Sequence, residues 1–207
     1  MVCGIHLPSL IVLAAGRSSR LGRPKQLVSK EGSTLLRRAL TAACDAGMGP
    51  VYAILGSDAE SMKTELAGLP AKAVVNDRWE EGIASSIRCG LHRARSDNPG
   101  TDGILVMVCD QPAVDADTLR KLAAIRKQTD APLAACKYGD TLGTPALFHH
   151  SLFAELQTLQ GDAGAKKVIE RHRNQAAFLD FPEGETDIDT EADCNAWLRN
   201  GKERKKQ

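Results

Sequence analysis

Four cations, Arg17, Arg20, Arg23 and Lys25, fall just after the aliphatic run Leu10-Ile11-Val12-Leu13, which gives way to the small residues Ala14, Ala15 and Gly16. A buried strand feeding such a loop has a direct physical reading. Small residues let backbone N–H groups approach an anion closely, and the cations neutralise it, a polyphosphate above all. Asp110 is a second candidate, in Cys109-Asp110-Gln111-Pro112 behind the apolar run 103–108. A carboxylate at that strand end either caps the following turn or offers a hard oxygen to Mg²⁺, a hard ion that also binds substrate phosphate. Asn76 and the segment with Gly82 and Ser86 follow another apolar run. Their amide and hydroxyls suit either the edge of a nucleotide base, where unpaired groups would be costly, or an Asx turn and helix cap. Asp187-Ile188-Asp189-Thr190, with Glu191 and Asp193 behind it, reads on its own as an acidic cap before a helix.

The elements that must position these residues alternate regularly. Consecutive apolar residues predict strands at 9–14, 51–55, 71–75, 103–108 and 132–136, with shorter ones at 145–148 and 176–179. Helices are expected after Ser33-Thr34, over 59–66, from about Ser86, after Asp115 or Asp117, over 151–159, around 166–172 and over 191–199, with a loop at 139–144. Strand–helix alternation predicts an α/β fold with a mostly parallel central sheet and helices on both faces, a three-layer arrangement with ligands at the carboxyl ends of the strands. The loops after Leu13, Val75 and Val108 all follow strands, so they meet at that end. One domain is expected over 1–200, with 201–207 as a solvated or disordered basic tail.

In full, Leu13-Ala14-Ala15-Gly16-Arg17-Ser18-Ser19-Arg20-Leu21-Gly22-Arg23-Pro24-Lys25-Gln26-Leu27 resembles the signature of the nucleotidyltransferases that activate sugars, isoprenoid precursors and molybdopterin. It looks most like the molybdenum cofactor cytidylyltransferase branch. Ser18 stands where many members of the wider superfamily have glycine, and the guanylyltransferases usually carry a second glycine at the Ala15 position. The resemblance implies a Rossmann-like fold of the nucleotide-diphospho-sugar transferase type, with Leu13, Ala14, Ala15, Gly16, Arg17, Ser18 and Lys25 around the triphosphate. Arg20 and Lys25 would carry the phosphate and transition-state work. It also implies Mg²⁺ as cofactor, held by Asp110 and by Asp189 in preference to Asp187, and base recognition by Asn76, Gly82 and Ser86. Gly143, Thr144 and Lys166 resemble acceptor-side segments, beside which the His149-His150 doublet lies. CTP and a molybdopterin-type acceptor are the implied substrates, with a molybdoenzyme or its accessory protein as partner. GTP, another phosphorylated acceptor, or a delivery protein without turnover are the rival readings.

Several classes are excluded or disfavoured. With 207 residues and a net charge of +1, nothing global points to nucleic acid or to a membrane surface. No apolar stretch approaches the roughly 20 residues that span a bilayer. No signal peptide is read at the N-terminus, so a cytoplasmic protein is expected. The six cysteines include no C-x-x-C pair, which favours reduced thiols over a zinc site. H-E-x-x-H and G-x-S-x-G are absent, against a zinc protease or a serine hydrolase.

Overall fold

The computed structural model describes residues 7–18 and 20–203. Ser9–Ala14 (β1) is buried along its whole length, as a run without polar alternation requires when both sheet faces are covered. A two-strand hairpin, Ser29–Lys30 (β2) and Ser33–Thr34 (β3), leads into Leu35–Asp45 (α1). Thr34 caps that helix by accepting a hydrogen bond from the Arg37 N–H at 3.0 Å. Val51–Leu55 (β4), Ala59–Lys63 (α2), Ala71–Val75 (β5), Ile83–Asp97 (α3) and Gly103–Val108 (β6) follow. Then come Ala116–Thr129 (α4), Leu133–Tyr138 (β7), Thr141–His149 (β8), Phe153–Gln157 (α5), Ala165–Arg171 (α6), Ala177–Asp180 (β9) and Glu191–Glu203 (α7).

Seven strands form one sheet in the order β5-β4-β1-β6-β8-β7-β9. All neighbours pair in parallel except those of β8, which runs antiparallel to both β6 and β7. Leu10 and Val12 on one face pack with Leu36 and Leu40 of α1 and Leu119 and Leu122 of α4. Ile11 and Leu13 on the other face pack with Ile87 and Leu91 of α3, Leu156 of α5 and Val168 of α6. Each fully buried aliphatic side chain contributes about 1.5–3 kcal/mol, so the two layers hold β1 rigidly.

The expected loop at 139–144 is corrected. Thr141–Thr144 extends β8, so Gly143 and Thr144 sit in an antiparallel strand at the ligand end of the sheet. The helix expected from Ser86 begins three residues earlier, at Ile83, which puts Ser86 inside α3. α7 continues to Glu203, into the stretch expected to be a tail, and 204–207 lie outside the described residues.

A small third cluster joins distant parts of the chain. Leu21, Val28 and Leu35 bury Ile188 and Cys194, and the Ile188 N–H donates to the Asp110 carbonyl at 3.0 Å. This contact carries the end of the chain to the loop after β1. Asp193 and Thr190 cap α7 reciprocally, with Thr190 N donating to Asp193 Oδ at 2.8 Å and Asp193 N to Thr190 Oγ1 at 3.2 Å.

Candidate active site

A cleft of about 550 Å³ opens at the carboxyl ends of β1 and β6. Leu13, Ala14, Ala15, Gly16 and Arg17 form one wall, joined by Arg20, Lys25 and Gln26. A Cβ added to Gly16 would meet no atom within 4 Å, so the space beside that backbone is open cleft. The loop holds its shape through its own polar groups. Gln26 is buried and donates from Nε2 to the Ala14 carbonyl at 2.9 Å and the Gly16 carbonyl at 2.7 Å. Ser18 stands at φ 54°, the left-handed region that glycine favours. Its hydroxyl accepts from the Lys25 N–H at 3.0 Å and donates to Gln26 Oε1 at 3.2 Å. Ser18 was expected to touch nucleotide, but these bonds turn its side chain into the loop, and it is not part of the cleft wall.

Lys25, Asp110 and Asp189 converge, although 85 and 164 residues separate Lys25 from the two carboxylates. Lys25 Nζ donates to Asp110 Oδ2 and, at 2.5 Å, to Asp189 Oδ1, while Arg20 Nη1 reaches Asp189 Oδ2 at 3.2 Å. Burial alone would lower the pKa of the Lys25 ammonium. The negative Asp110 and Asp189 outweigh it and hold the group above the ordinary lysine value. Asp187 sits at the rim of the same cluster, its carboxyl pushed up to about 6 by partial burial and by the charge of Asp110, with a hydrogen bond to Gln111 opposing the shift. Asp110 Oδ1 is buried and has no hydrogen-bond partner, a costly state for a carboxylate oxygen. An orphaned buried oxygen among acidic side chains fits a hard divalent cation, which oxygen donors bind. Burial and the neighbouring Asp110 raise the pKa of the Cys109 thiol, so this cleft residue is a neutral wall and not a nucleophile.

The opposite wall comes from Trp79, Glu80, Gly82, Ile83, Ser86 and Asp162. Arg17 lies over the Trp79 ring at 5.4 Å, which spans the cleft mouth. Gly82 has φ 94°, and a Cβ there would lie 2.4 Å from the Gly161 carbonyl oxygen, so only glycine lets residues 161–164 close against the start of α3. The Ala84 N–H donates to that same carbonyl at 3.1 Å. Asn76 was expected to meet the nucleotide, but it is buried behind the wall. Its amide donates to Ser85 Oγ at 2.8 Å and Ser86 Oγ at 3.0 Å, and its Oδ1 accepts from the Arg78 N–H at 3.1 Å. Asn76 therefore orients Ser86.

The acceptor-side expectations divide. Thr144 adjoins the cluster, since its hydroxyl meets Gln111 Oε1 at 3.5 Å, and Gln111 follows Asp110. Gly143 lies against the Tyr138 hydroxyl, where a Cβ would come within 1.8 Å of its oxygen. Neither lines the cleft, and Lys166 is exposed on α6 away from the cleft wall. His149 and His150 stand at the opposite end of the sheet, because β8 runs antiparallel. Gln26 and Asp162 were not singled out as site residues from sequence. A glutamine beside a lysine and an aspartate in a glycine-rich turn look like ordinary surface residues until the fold buries one and turns the other into the cleft. Cys44, Cys89, Cys109, Cys136 and Cys194 are free thiols, and Cys3 lies outside the described residues.

The model of the MobA-like NTP transferase domain family matches residues 10–176. The chain belongs to this family. Nicotine blue oxidoreductase of Paenarthrobacter nicotinovorans is 30% identical over 87% of this chain and 91% of its own length. Purine catabolism protein PucB of Bacillus subtilis is 27% identical over 77% and 78%. The crystal structure of Rv0371c from Mycobacterium tuberculosis H37Rv superposes with a TM-score of 0.81 at 34% identity, covering 93% of this chain and 97% of that one. A second structure, described as the Rv0371c complex with manganese, gives 0.77 at 30% identity, covering 93% and 98%. The mostly parallel seven-stranded sheet between two helix layers is the Rossmann-like fold of nucleotide-diphospho-sugar transferases. Among the described residues, no helix is long and apolar enough to cross a membrane.

Proposed function

We propose that this MobA-like protein is a cytidylyltransferase dependent on a divalent metal, in the first instance Mg²⁺. It joins CMP from CTP to the phosphate of molybdopterin or its molybdenum-bearing form. An oxygen of the acceptor phosphate forms a bond to the α-phosphorus of CTP, the bond from that phosphorus to the β-phosphate bridging oxygen breaks, and pyrophosphate leaves. One observation carries the reading. Lys25, Asp110 and Asp189 meet at the end of the glycine loop, beside a cleft large enough for a nucleotide, and Asp110 Oδ1 is left without a partner.

In this reading Asp110 and Asp189 hold the metal, with Asp187 at the rim. A divalent ion there would screen the triphosphate and offset charge building on the departing pyrophosphate. Backbone from Ala15 to Arg17 cradles the phosphates, and Gln26 holds the Ala14 and Gly16 carbonyls turned away from the anion. Lys25 is a fixed positive charge, held protonated and poised to move from the carboxylates to phosphate oxygens. Arg20, a side chain three-quarters exposed at the rim, meets the same charge from outside. Positioning and charge neutralisation do the work, with no covalent enzyme intermediate.

On the base side, Ser86 Oγ accepts from Asn76, which frees its own proton to donate, and Asp162 offers a carboxylate acceptor. This pair matches the N3 or O2 acceptor and the N4 amine of cytosine. Guanine presents an acceptor and donors too, so the preference for CTP is supported by the likeness of Gly16–Leu27 to the cytidylyl branch. A second reading comes from the relative whose name makes it an oxidoreductase, in which a redox cofactor would occupy the cleft.

Pyrophosphate release separates these. The purified protein is incubated with Mg²⁺, molybdopterin and CTP, GTP or ATP in turn. Stoichiometric pyrophosphate with CTP is expected, and release with GTP alone would transfer the assignment to a guanylyltransferase. Binding without consumption of any nucleotide would favour a delivery protein or the redox reading and overturn this one.

A further inference from the structure

A second constellation stands at the other end of the sheet, where β6 begins and β8 ends. Asp102, His149 and His150 each offer a ligand atom, and these atoms all lie within 4.8 Å of one another. β6 and the residues flanking it separate Asp102 from Asp110 by roughly 25 Å at the rise of an extended strand, so this cluster shares nothing with the nucleotide cleft.

The backbone presets the three. The Gly103–His149 register pair fixes β8 beside the residue following Asp102. The His150 N–H donates to the Asp102 carbonyl at 3.0 Å, and the His149 N–H to the Pro132 carbonyl at 2.9 Å. The side chains are set as well. His149 Nδ1 and the Ser151 hydroxyl are 2.9 Å apart, which leaves Nε2 facing Asp102 Oδ1 at 3.6 Å. Arg126 Nη1 takes the other oxygen, Asp102 Oδ2, at 3.0 Å and leaves Oδ1 toward the histidines. The Ser151 N–H also lies 3.4 Å from His149 Nδ1, so a metal at Nε2 requires the tautomer in which Nδ1 carries the proton and donates it to the Ser151 hydroxyl. That is the outer support that metal-bound imidazoles use, while the second carboxylate oxygen stays on the Arg126 guanidinium.

Asp102 and His150 also line a cavity of about 860 Å³, larger than the nucleotide cleft and bounded further by Arg95, Thr101, Phe153 and Gln157. A bound ion would therefore keep positions open to water or to a ligand entering that cavity. Two imidazoles and one carboxylate suit a first-row transition ion, whereas Mg²⁺ prefers oxygen donors alone.

We propose that Asp102, His149 and His150 form a second metal site, for a divalent transition ion of the zinc class, independent of the nucleotide cleft. The untagged full-length protein, stripped with a chelator, is titrated with Zn²⁺ against a chromophoric competitor and separately with Co²⁺ under visible spectroscopy. One equivalent of Zn²⁺ and a Co²⁺ absorption band are expected. His150 is exposed, so His150→Ala should keep the fold, with a wild-type circular dichroism melt, while weakening Zn²⁺ binding at least ~100-fold; Ser151→Ala, which removes only an outer partner, should weaken it ~10-fold. Asp110→Asn should keep the equivalent. The proposal is overturned if wild type fails to compete with the chelator, if His150→Ala binds as wild type does, or if Asp110→Asn abolishes binding.

Discussion

Replacing Lys25 by methionine tests how the two carboxylates are held in the absence of nucleotide. In wild type the ammonium lies between Asp110 and Asp189, with Lys25 and Asp110 only 17% and 15% exposed. Methionine fills similar volume but leaves Asp110 facing Asp189 with no cation between them. Breaking a buried pair costs about 3–5 kcal/mol; with Asp189 42% exposed and partly screened, the low end applies, ~3 kcal/mol. For a chain of this size that is a fall in Tm of roughly 6–12 °C. A divalent ion should then replace the missing charge. At about 100 times its dissociation constant it restores ~2.7 kcal/mol, whereas in wild type the ion must first displace Lys25. Thermal melts of both proteins are recorded with and without Mn²⁺, and the difference between them cancels any ion bound elsewhere. Lys25→Met should be less stable without metal and gain more from Mn²⁺ than wild type. Equal melting without metal, or equal gains with it, would show that Lys25 does not neutralise this pair.

Asp110→Asn should slow pyrophosphate release at least ~100-fold at saturating CTP, the scale for losing one electrostatic stabiliser, and near-normal turnover at limiting Mg²⁺ would remove Asp110 from the metal. Gly82→Ala forces a Cβ against the Gly161 carbonyl at a positive φ, so it should cost about 1–3 kcal/mol in urea melts and raise the KM for CTP by shifting Asp162; an unchanged KM would detach residues 161–164 from nucleotide binding. Asp115 caps α4 by accepting from the Thr118 N–H and hydroxyl, both at 2.8 Å, and these bonds hold its carboxyl below the usual value. Because the folded value is the lower one, the contribution is complete above the unfolded value of ~3.9 and is lost as pH falls through the folded value. Asp115→Ala should therefore cost about 1 kcal/mol at pH 7, and the gap to wild type should close in strong acid; a gap independent of pH would assign the loss to packing.

The central parallel strands β1, β4 and β6 were legible because burial on both faces demands unbroken apolar runs; the edge strand β5, half-buried to exposed and interrupted by Lys72, also has its expected bounds. β8 was legible only in its apolar half. Thr141, Gly143 and Thr144 look like loop residues, and Gly143 is there because the Tyr138 hydroxyl takes the space of a side chain. Missing the direction of β8 also placed His149 and His150 beside the acceptor segment, a full strand length from where they lie. The loop cations and Asp110 could be picked out by chemistry alone, since strand-end position and charge are written in the chain. Asp189 could not, because its approach depends on Ile188 sinking between Leu21, Val28 and Leu35, a contact across the whole length of the chain. Asn76 and Ser86 stood out in the chain only as polar groups suited to a base edge or to an Asx turn and cap; packing shows Asn76 buried, bonded to Ser85, Ser86 and the Arg78 N–H, so that it holds Ser86 from behind.

The central claim is that Asp110 and Asp189 exchange Lys25 for a metal when the triphosphate arrives. A crystal grown with Mn²⁺ and a CTP analogue blocked at the α–β bridge tests it in one anomalous difference map. The account predicts a manganese peak between the Asp110 and Asp189 carboxylates, with Lys25 Nζ moved onto a phosphate oxygen. Manganese placed elsewhere, with Lys25 still bridging the two aspartates beside bound nucleotide, would contradict it.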